Sequence, residues 1–341
     1  MKRILLVVFL PLSLWAQIGG TNAFSFSDIA VSPRIEAIGS NAIAIFDGDV
    51  SLSQNTPSLL NAKMHNEIAF TFGDYFSDIS LLSFAYARDF EKIGVIIGLS
   101  LKAINYGSFE RNNAEGYHQG DFSASDQVLT LGVGKRVNDK LTFGTNINFL
   151  NSVYDTYNSI ALTSNISATY FNKGKRFTMT FLLKNIGKQL DSYAFEREKI
   201  PFDIQFAISK ELAHLPFRYH LSYTNINKFD IKSPYKLTQQ TNIATGELEL
   251  KEESIAKTAL RHIIIGGELN PFRKSFFLRS GFNFQRRFDL TTVTSPAMVG
   301  FSWGVGFKVS KYRFDYSRSA YHLSGVPNNF SIAVNLSTFG F

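Results

Sequence analysis

Histidines, serines and paired glycines are the residue types in this sequence that could carry chemistry. None of the six histidines has a second histidine or a carboxylate at a metal-binding spacing on one helix face. No Gly-x-Ser-x-Gly nucleophile motif occurs either. The histidines are His65, His118, His214, His220, His262 and His322. We expect them to be ordinary polar residues, and we predict no catalytic residue and no metal site.

Two glycine pairs, Gly132-Val-Gly134 and Gly304-Val-Gly306, look superficially like phosphate-binding loops. Both lack the third glycine and the helix that such a loop needs, so we predict small residues within strands and no cofactor. The chain also has no cysteine. This excludes a lipid-modified N-terminal cysteine, disulfides and thiolate chemistry. The sequence therefore indicates a protein that is not an enzyme.

The first residues have the organisation of a secretory signal peptide. Lys2 and Arg3 precede a short apolar run, Ile4–Leu14, and Ala16 is a small residue before Gln17. The apolar run is shorter than the roughly 20 residues of a membrane-spanning helix. We predict a signal peptide over residues 1–16 and therefore an exported protein.

Apolar residues alternate with polar or small residues along most of the remaining chain. One such segment has Phe143, Ile147 and Phe149 on one face and Gly144 and Asn146 on the other. Segments of about ten residues with this period of two are typical of strands in a transmembrane barrel. We predict an all-β, antiparallel transmembrane barrel of about 14 strands. The predicted strands are 66–73, 78–89, 92–106, 126–137, 140–154, 157–171, 176–187, 201–211, 217–227, 259–269, 275–286, 297–309, 311–319 and 329–339.

The connections between these segments alternate between tight turns and longer loops. In outer-membrane barrels the turns lie on the periplasmic side and the loops outside, so we predict long loops facing the cell exterior. The short connections at 74–77 and 155–156 depart from the alternation. The final Phe341 also favours an outer-membrane barrel, although Phe339 and Phe341 have the wrong parity for the last strand. The predicted long loops are 107–125, 188–200, 228–258, 287–296 and 320–328.

Residues 17–62 lack the alternation, and we predict that they form a plug in the barrel of residues 63–341. Charged residues within the strands must point into the lumen or lie near a membrane interface, because a charge facing lipid is costly. They include Lys102, Lys135, Lys184, Lys308 and Arg318. An ion pathway is one interpretation, and we favour the other, salt bridges to plug carboxylates such as Asp47 and Asp49.

The chain is basic, with a formal net charge of +7, which falls to +5 without Lys2 and Arg3. It has no run of more than two Lys or Arg residues and no basic helix, so we predict no nucleic-acid partner. Lipopolysaccharide phosphates at the membrane surface are the more natural partner for these cations.

Several stretches of the mature chain carry recognisable motifs. The stretches 33–42, 47–52 and 55–60 are similar to a FadL-like plug that leads into the first strand. Further motifs follow along nearly the whole mature chain: Asn105-Tyr106-Gly107-Ser108-Phe109, Glu115-Gly116, Gly120-Asp121-Phe122-Ser123-Ala124-Ser125-Asp126, Asn185-Ile186-Gly187-Lys188-Gln189-Leu190, Ile200-Pro201-Phe202, Lys210-Glu211-Leu212 and Leu215-Pro216-Phe217-Arg218. Together and in this order they resemble the PorQ family of type IX secretion system barrels, which are FadL-like.

This resemblance implies a non-enzymatic barrel in the attachment complex that joins secreted proteins to lipopolysaccharide. The implied partners are a PorZ-like surface protein and PorU- and PorV-like components. In loop 107–125, Phe109, Tyr117 and Phe122 are aromatic residues of the kind that anchor protein interfaces. We therefore expect a docking platform. The alternative is a FadL-like channel for fatty acids or other hydrophobic solutes, which predicts an apolar pocket beneath the plug.

Overall fold

Fourteen antiparallel strands form a closed barrel in a computed structural model. The structure describes residues 23–193, 197–232, 239–241, 248–250, 253–272, 275–291, 298–320 and 325–340. The predicted signal peptide lies outside these residues. The barrel strands are β1 (Glu67–Asp74), β2 (Ser80–Phe90), β3 (Val95–Asn112), β4 (His118–Arg136), β5 (Leu141–Tyr154), β6 (Tyr157–Asn172), β7 (Phe177–Asp191), β8 (Asp203–Glu211), β9 (Phe217–Tyr223), β12 (Ile263–Leu269), β13 (Phe276–Asn283), β14 (Phe301–Val309), β15 (Tyr312–Ser319) and β16 (Asn328–Asn335).

Each barrel strand pairs with its neighbours in the chain, and β1 closes the ring against β16. Closure leaves no sheet edge, so the backbone groups of the ladder are satisfied within the wall. The predicted fold class is confirmed. A separate two-stranded hairpin, β10 (Gln239–Thr241) and β11 (Leu248–Leu250), lies in the connection between β9 and β12.

The strands bury every second residue, as the sequence pattern predicts. In β5 the buried side chains include Asn146 and Asn148, while Phe143, Ile147 and Phe149 are exposed on the outer surface. The wall is therefore apolar outside and small or polar inside, the inverse of a soluble sandwich and the arrangement expected of a lipid-facing barrel. None of the described helices is long and apolar enough to cross a membrane.

The connections are segregated by length between the two ends of the barrel. One end, here the turn end, carries the connections 91–94, 137–140, 173–176, 212–216, 270–275 and 310–311. The other, the loop end, carries those at 192–202, 224–262, 284–300 and 320–327, together with shorter ones at 75–79, 113–117 and 155–156. Two short helices, α2 (Ile255–Leu260) and α3 (Phe284–Leu290), belong to the loop end.

Several predicted boundaries were wrong. Strands β9, β12, β13 and β14 are shorter at the loop end than predicted, because residues 259–260 belong to α2 and residues 284–286 to α3. Residues 107–125, predicted as a long loop, are mostly strand, because β3 and β4 continue to a tip at 113–117. Their outer parts have no apolar alternation, since they extend beyond the wall and face no lipid. The last strand ends at Asn335 and not at residue 339, because the Asn335 side chain accepts a hydrogen bond from the Ser337 amide at 3.0 Å and caps a 3₁₀ turn, Leu336–Phe339. This turn explains the parity of Phe339 without a bulge; Phe341 lies outside the described residues.

The segment before β1 fills the barrel lumen. It contains one short α-helix, α1 (Pro33–Ala37), which is capped by Ser32 and starts at a proline, and four 3₁₀ turns. Its first part, around Phe24 and Phe26, packs against Leu81, Ile104 and Leu150 near the loop end. Residues 57–60 pack against β4, β5 and β6 toward the turn end. We call residues 23–66 the plug.

Candidate functional site

Arg34 on α1 is the centre of a buried ion network between the plug and the wall. Its guanidinium group lies 2.7 Å from Asp47 Oδ2, 3.1 Å from Asp49 Oδ2 and 3.0 Å from Glu268 Oε2. Asp47 and Asp49 belong to the plug, whereas Glu268 is on β12. One arginine therefore joins two plug carboxylates to a wall carboxylate.

Three wall arginines extend this network along the strands. Arg218 on β9 contacts Asp47 and Glu268 at 3.3 and 3.1 Å, and Arg279 on β13 contacts Glu268 and Asp315 at 2.8 and 2.6 Å. Arg313 on β15 contacts Asp49 at 2.7 Å. Each cation lies between carboxylates, so the desolvated charges compensate one another.

The plug carboxylates are held in their ionised form. Burial raises the pKa of Asp47, but the guanidinium groups of Arg34 and Arg218 outweigh burial, and the net pKa lies far below its ordinary value. Burial likewise opposes ionisation of Asp49, and Arg313 and Arg34 lower its pKa. Asp47 and Asp49 are therefore ionised at neutral pH, as their pairing with arginines requires.

In-strand cations do pair with plug carboxylates, as predicted, but the cations that contact Asp47 and Asp49 are not the ones named from the sequence. Lys102 does point inward, and its Nζ donates to the carbonyls of Phe26 and Ser27 at 2.9 and 3.0 Å. Lys184 reaches Asp28 of the plug at 2.5 Å. Three other cations, Lys135, Lys308 and Arg318, are exposed. The partners of Asp47 and Asp49 are arginines that the sequence analysis did not single out.

Glycines on the inner wall allow the plug to approach the strands closely. A Cβ on Gly144 would lie 2.3 Å from the carbonyl carbon of Pro57, and one on Gly281 would lie 2.1 Å from the amide nitrogen of Gly39. Gly134 and Gly304, from the two glycine pairs of the sequence, likewise face plug residues. These pairs accommodate the plug and do not form a phosphate loop.

A small cavity lies between the plug and β3–β6. Its volume is about 10 Å³, and it is lined mainly by polar side chains such as Gln54, Lys102 and Asn148. That volume accommodates about one water molecule. The apolar pocket beneath the plug that a solute channel requires stays a prediction.

The histidines form no metal site in the described part of the chain, where no cluster of three or more potential ligands occurs. His220 is buried and its Nε2 lies 2.7 Å from Ser222 Oγ, while His262 contacts the carbonyls of Thr224 and Phe229. His118 is exposed, and His65 accepts a hydrogen bond from the amide of Asp89. His322 lies outside the described residues.

The three aromatic residues predicted to bind a partner lie on the β3–β4 hairpin. Strand β2 pairs with β3 only as far as Asn105, and β5 pairs with β4 only from Ala124. Beyond these positions the two strands pair only with each other. The residues 106–123, here called the projecting hairpin, therefore extend past the neighbouring strands at the loop end.

The structure brings two of these aromatic residues together. Phe109 and Phe122 are cross-strand partners whose ring centroids lie 5.3 Å apart in a stacked arrangement, and the Arg111 guanidinium lies 6.0 Å from the Phe122 ring centre. Tyr117 is separate from this pair, at the tip, with 73% of its surface exposed. The hairpin thus presents an aromatic pair and an exposed tyrosine, which is suitable chemistry for a protein interface.

Solved structures of other proteins share the fold of this chain. No protein-family model and no curated protein matches the chain. The CymD monoaromatic hydrocarbon channel aligns with 90% of this chain and 98% of its own, at a TM-score of 0.52 and 12% identity. A Pseudomonas aeruginosa FadL homologue aligns with 89% of this chain and 98% of its own, at a TM-score of 0.51 and 10% identity. The Pseudomonas putida toluene transporter TodX aligns with 89% of this chain and 96% of its own, at a TM-score of 0.49 and 11% identity.

At these identities the likeness is one of fold. The chain has the closed 14-stranded architecture of FadL-like outer-membrane barrels, and this fold indicates an outer-membrane location.

Proposed function

We propose that this chain is a plugged outer-membrane barrel that serves as a docking platform, and that its long loops and projecting hairpin face the cell exterior. The observation that carries the proposal is the anchored plug, which a buried ion network joins to the barrel wall. We infer that a barrel whose plug stays in place acts through its surface.

The sequence resemblance to the PorQ family supports a specific platform. On that basis the barrel belongs to the attachment complex of the type IX secretion system and binds a PorZ-like surface protein, with PorU- and PorV-like components alongside. Phe109, Tyr117 and Phe122 are the proposed contact residues. Catalysis would then belong to a partner.

The contact residues can be tested by affinity capture from detergent-solubilised membranes. We expect the triple variant F109S/Y117S/F122S to lose most of the captured PorZ-like protein, because aromatic residues contribute much of the energy of an interface. The matched control is F272S, since Phe272 is 68% exposed at the turn end. Equal capture by the triple variant and the wild type would rule out the hairpin as the contact. In a strain that lacks this barrel, secreted proteins that stay attached to the cell surface would exclude the platform itself.

A channel for hydrophobic solutes is the second candidate, and the comparisons support it more directly than they support the platform. The matching structures are of a hydrocarbon channel and a FadL homologue. In such a channel the plug must move to open a path for the solute. The two proposals therefore differ in whether function needs plug movement.

A crosslink across the plug separates these two functions. Ser58 Oγ of the plug lies 2.7 Å from Thr169 Oγ1 on β6, and the chain has no native cysteine. The variant S58C/T169C can therefore form only the intended disulfide. The platform predicts unchanged partner capture in the oxidised form. Solute uptake that stops on oxidation and recovers with reductant would instead establish the channel, with single-cysteine variants as controls.

A further inference from the structure

The barrel wall is irregular where β7 leaves β8. The pairing of β6 with β7 shifts between Ser164 and Ile166, which leaves Lys184 and Asn185 as a bulge on β7, and Asn185 has a positive φ of 59°. Strand β8 begins at Asp203, opposite Lys184. Beyond this point β7 has ladder partners only on its β6 side.

The chain around residues 197–202 covers the open side of β7 without forming a ladder with it. Asn185 Nδ2 donates to the Pro201 carbonyl at 3.0 Å, and the Glu198 amide donates to Gln189 Oε1 at 2.6 Å. Between these contacts lies an open cleft of about 470 Å³. This volume is within the range of pockets that bind small molecules. We call it the β7 cleft.

The β7 cleft combines apolar and cationic side chains. Ile186 and Phe202 are exposed apolar residues of its lining. Among the described lining residues, Lys188 and Arg197 are exposed cations that flank the cleft, and Glu198 is the one carboxylate. These two cations favour an anionic ligand, and the apolar side chains favour a hydrocarbon chain.

The location of the cleft identifies the occupant. After the bulge, Ile186, Lys188 and Leu190 are exposed while Gln189 between them is buried, so these three side chains lie on the outer face of the wall. On the neighbouring β6 strand, Leu162 pairs with Lys188 and is also exposed on that face. A cation within an apolar outer face near the loop end of a membrane barrel lies where lipid headgroups meet acyl chains.

We propose that the β7 cleft binds a membrane lipid that carries a phosphate headgroup. In this site Lys188 and Arg197 contact the phosphate, and Ile186 and Phe202 contact the acyl chain. The site is on the wall and not in the lumen, so it is independent of whether the barrel is a platform or a channel.

The test uses the full barrel purified in non-ionic detergent and native mass spectrometry to measure lipid binding. The probe is dioctanoyl phosphatidic acid, with dioctanoylglycerol as the same lipid without phosphate and inorganic phosphate as a competitor. We expect the variant K188Q/R197Q to bind phosphatidic acid about tenfold more weakly or worse, since each cation near a headgroup contributes appreciably. We expect F202S to weaken binding as well.

The control variant K173Q/K175Q removes two exposed lysines from the turn between β6 and β7, at the opposite end of the same strands. It should bind like the wild type. Heat-dependent gel migration reports whether each variant is folded. The single substitutions K188Q and R197Q remove one cation at a time and should each weaken lipid binding less than the double variant. Equal affinity of K188Q/R197Q and the wild type would overturn the proposal. So would equal binding of the phosphate-free lipid, or displacement of the lipid by inorganic phosphate at a similar concentration.

Discussion

Two arcs of the barrel wall contact the plug through different chemistry. Toward β9, β12 and β15 the contact is ionic and is organised around Arg34 and its partners Asp47 and Asp49. Toward β5 and β6 it is neutral: the Ser58 amide donates to Ser167 Oγ at 2.9 Å, and Asn146 Nδ2 and Asn165 Nδ2 donate to plug carbonyls. We refer to these as the ionic arc and the neutral arc.

The ionic and neutral arcs differ in how strongly each plug–wall contact depends on the contacts beside it. In the ionic arc the central charges, Arg34, Asp49 and Glu268, are buried between partners, so the loss of one leaves the others less compensated. In the neutral arc each hydrogen bond is nearly independent and contributes modestly. The ionic arc therefore determines where the plug sits, and the neutral arc adds smaller increments around it.

The largest expected effect is that of R34M. Removing the central guanidinium leaves Asp47, Asp49 and Glu268 buried without their common partner, which should cost about 3–5 kcal/mol in the free energy of unfolding. Urea unfolding of the refolded barrel in lipid vesicles measures this. The control is R136M, because the Arg136 side chain is 61% exposed in a turn. Similar losses in the two variants would show that the network does not hold the plug.

Next in size is G144A, which tests close approach in the neutral arc. The added Cβ would lie 2.3 Å from the Pro57 carbonyl carbon, so the plug backbone must shift, at a cost of about 1–3 kcal/mol. G132A is the matched control, because the nearest atoms to a Cβ there, the Leu60 side chain at 3.5 Å and Asn146 Cβ at 3.6 Å, are at ordinary van der Waals distances. Thermal unfolding of both variants is the measurement, and equal melting temperatures would contradict the tight fit.

A smaller effect is expected for S58A. It removes the hydroxyl that contacts Thr169 Oγ1 at 2.7 Å but leaves the backbone hydrogen bond to Ser167 in place. The loss should be about 0.5–1.5 kcal/mol. A double-mutant cycle with T169V measures the coupling between the two hydroxyls. A loss as large as that of R34M would remove the distinction between the two arcs.

The smallest effect is expected outside both arcs. R176M breaks an exposed ion pair in which Arg176 lies 3.5 Å from Glu211 at the turn end. Pairs of this kind contribute about 0–1 kcal/mol because water screens them. Urea unfolding in low and high salt should differ little between this variant and the wild type. A loss of several kcal/mol would mean that burial is not what makes the ionic arc strong.

The sequence by itself determined the barrel. A period of two over segments such as 141–154 requires one face for lipid and one for the lumen, and the turn residues between segments set the order of the strands. These signals are local, so a single chain is enough to detect them. The small lumen-facing residues of the two glycine pairs followed from the same alternation.

The ion network was decided only by the tertiary structure. Arg34 and Glu268 are 234 residues apart in sequence, and barrel closure together with the register of the strands brings them into contact. An alternating pattern shows that Lys102, Arg218 and Arg313 each occupy a strand, but it does not show the height at which each side chain meets the plug. The length of the projecting hairpin was missed for a related reason, because residues that face water on both sides have no apolar alternation to reveal a strand.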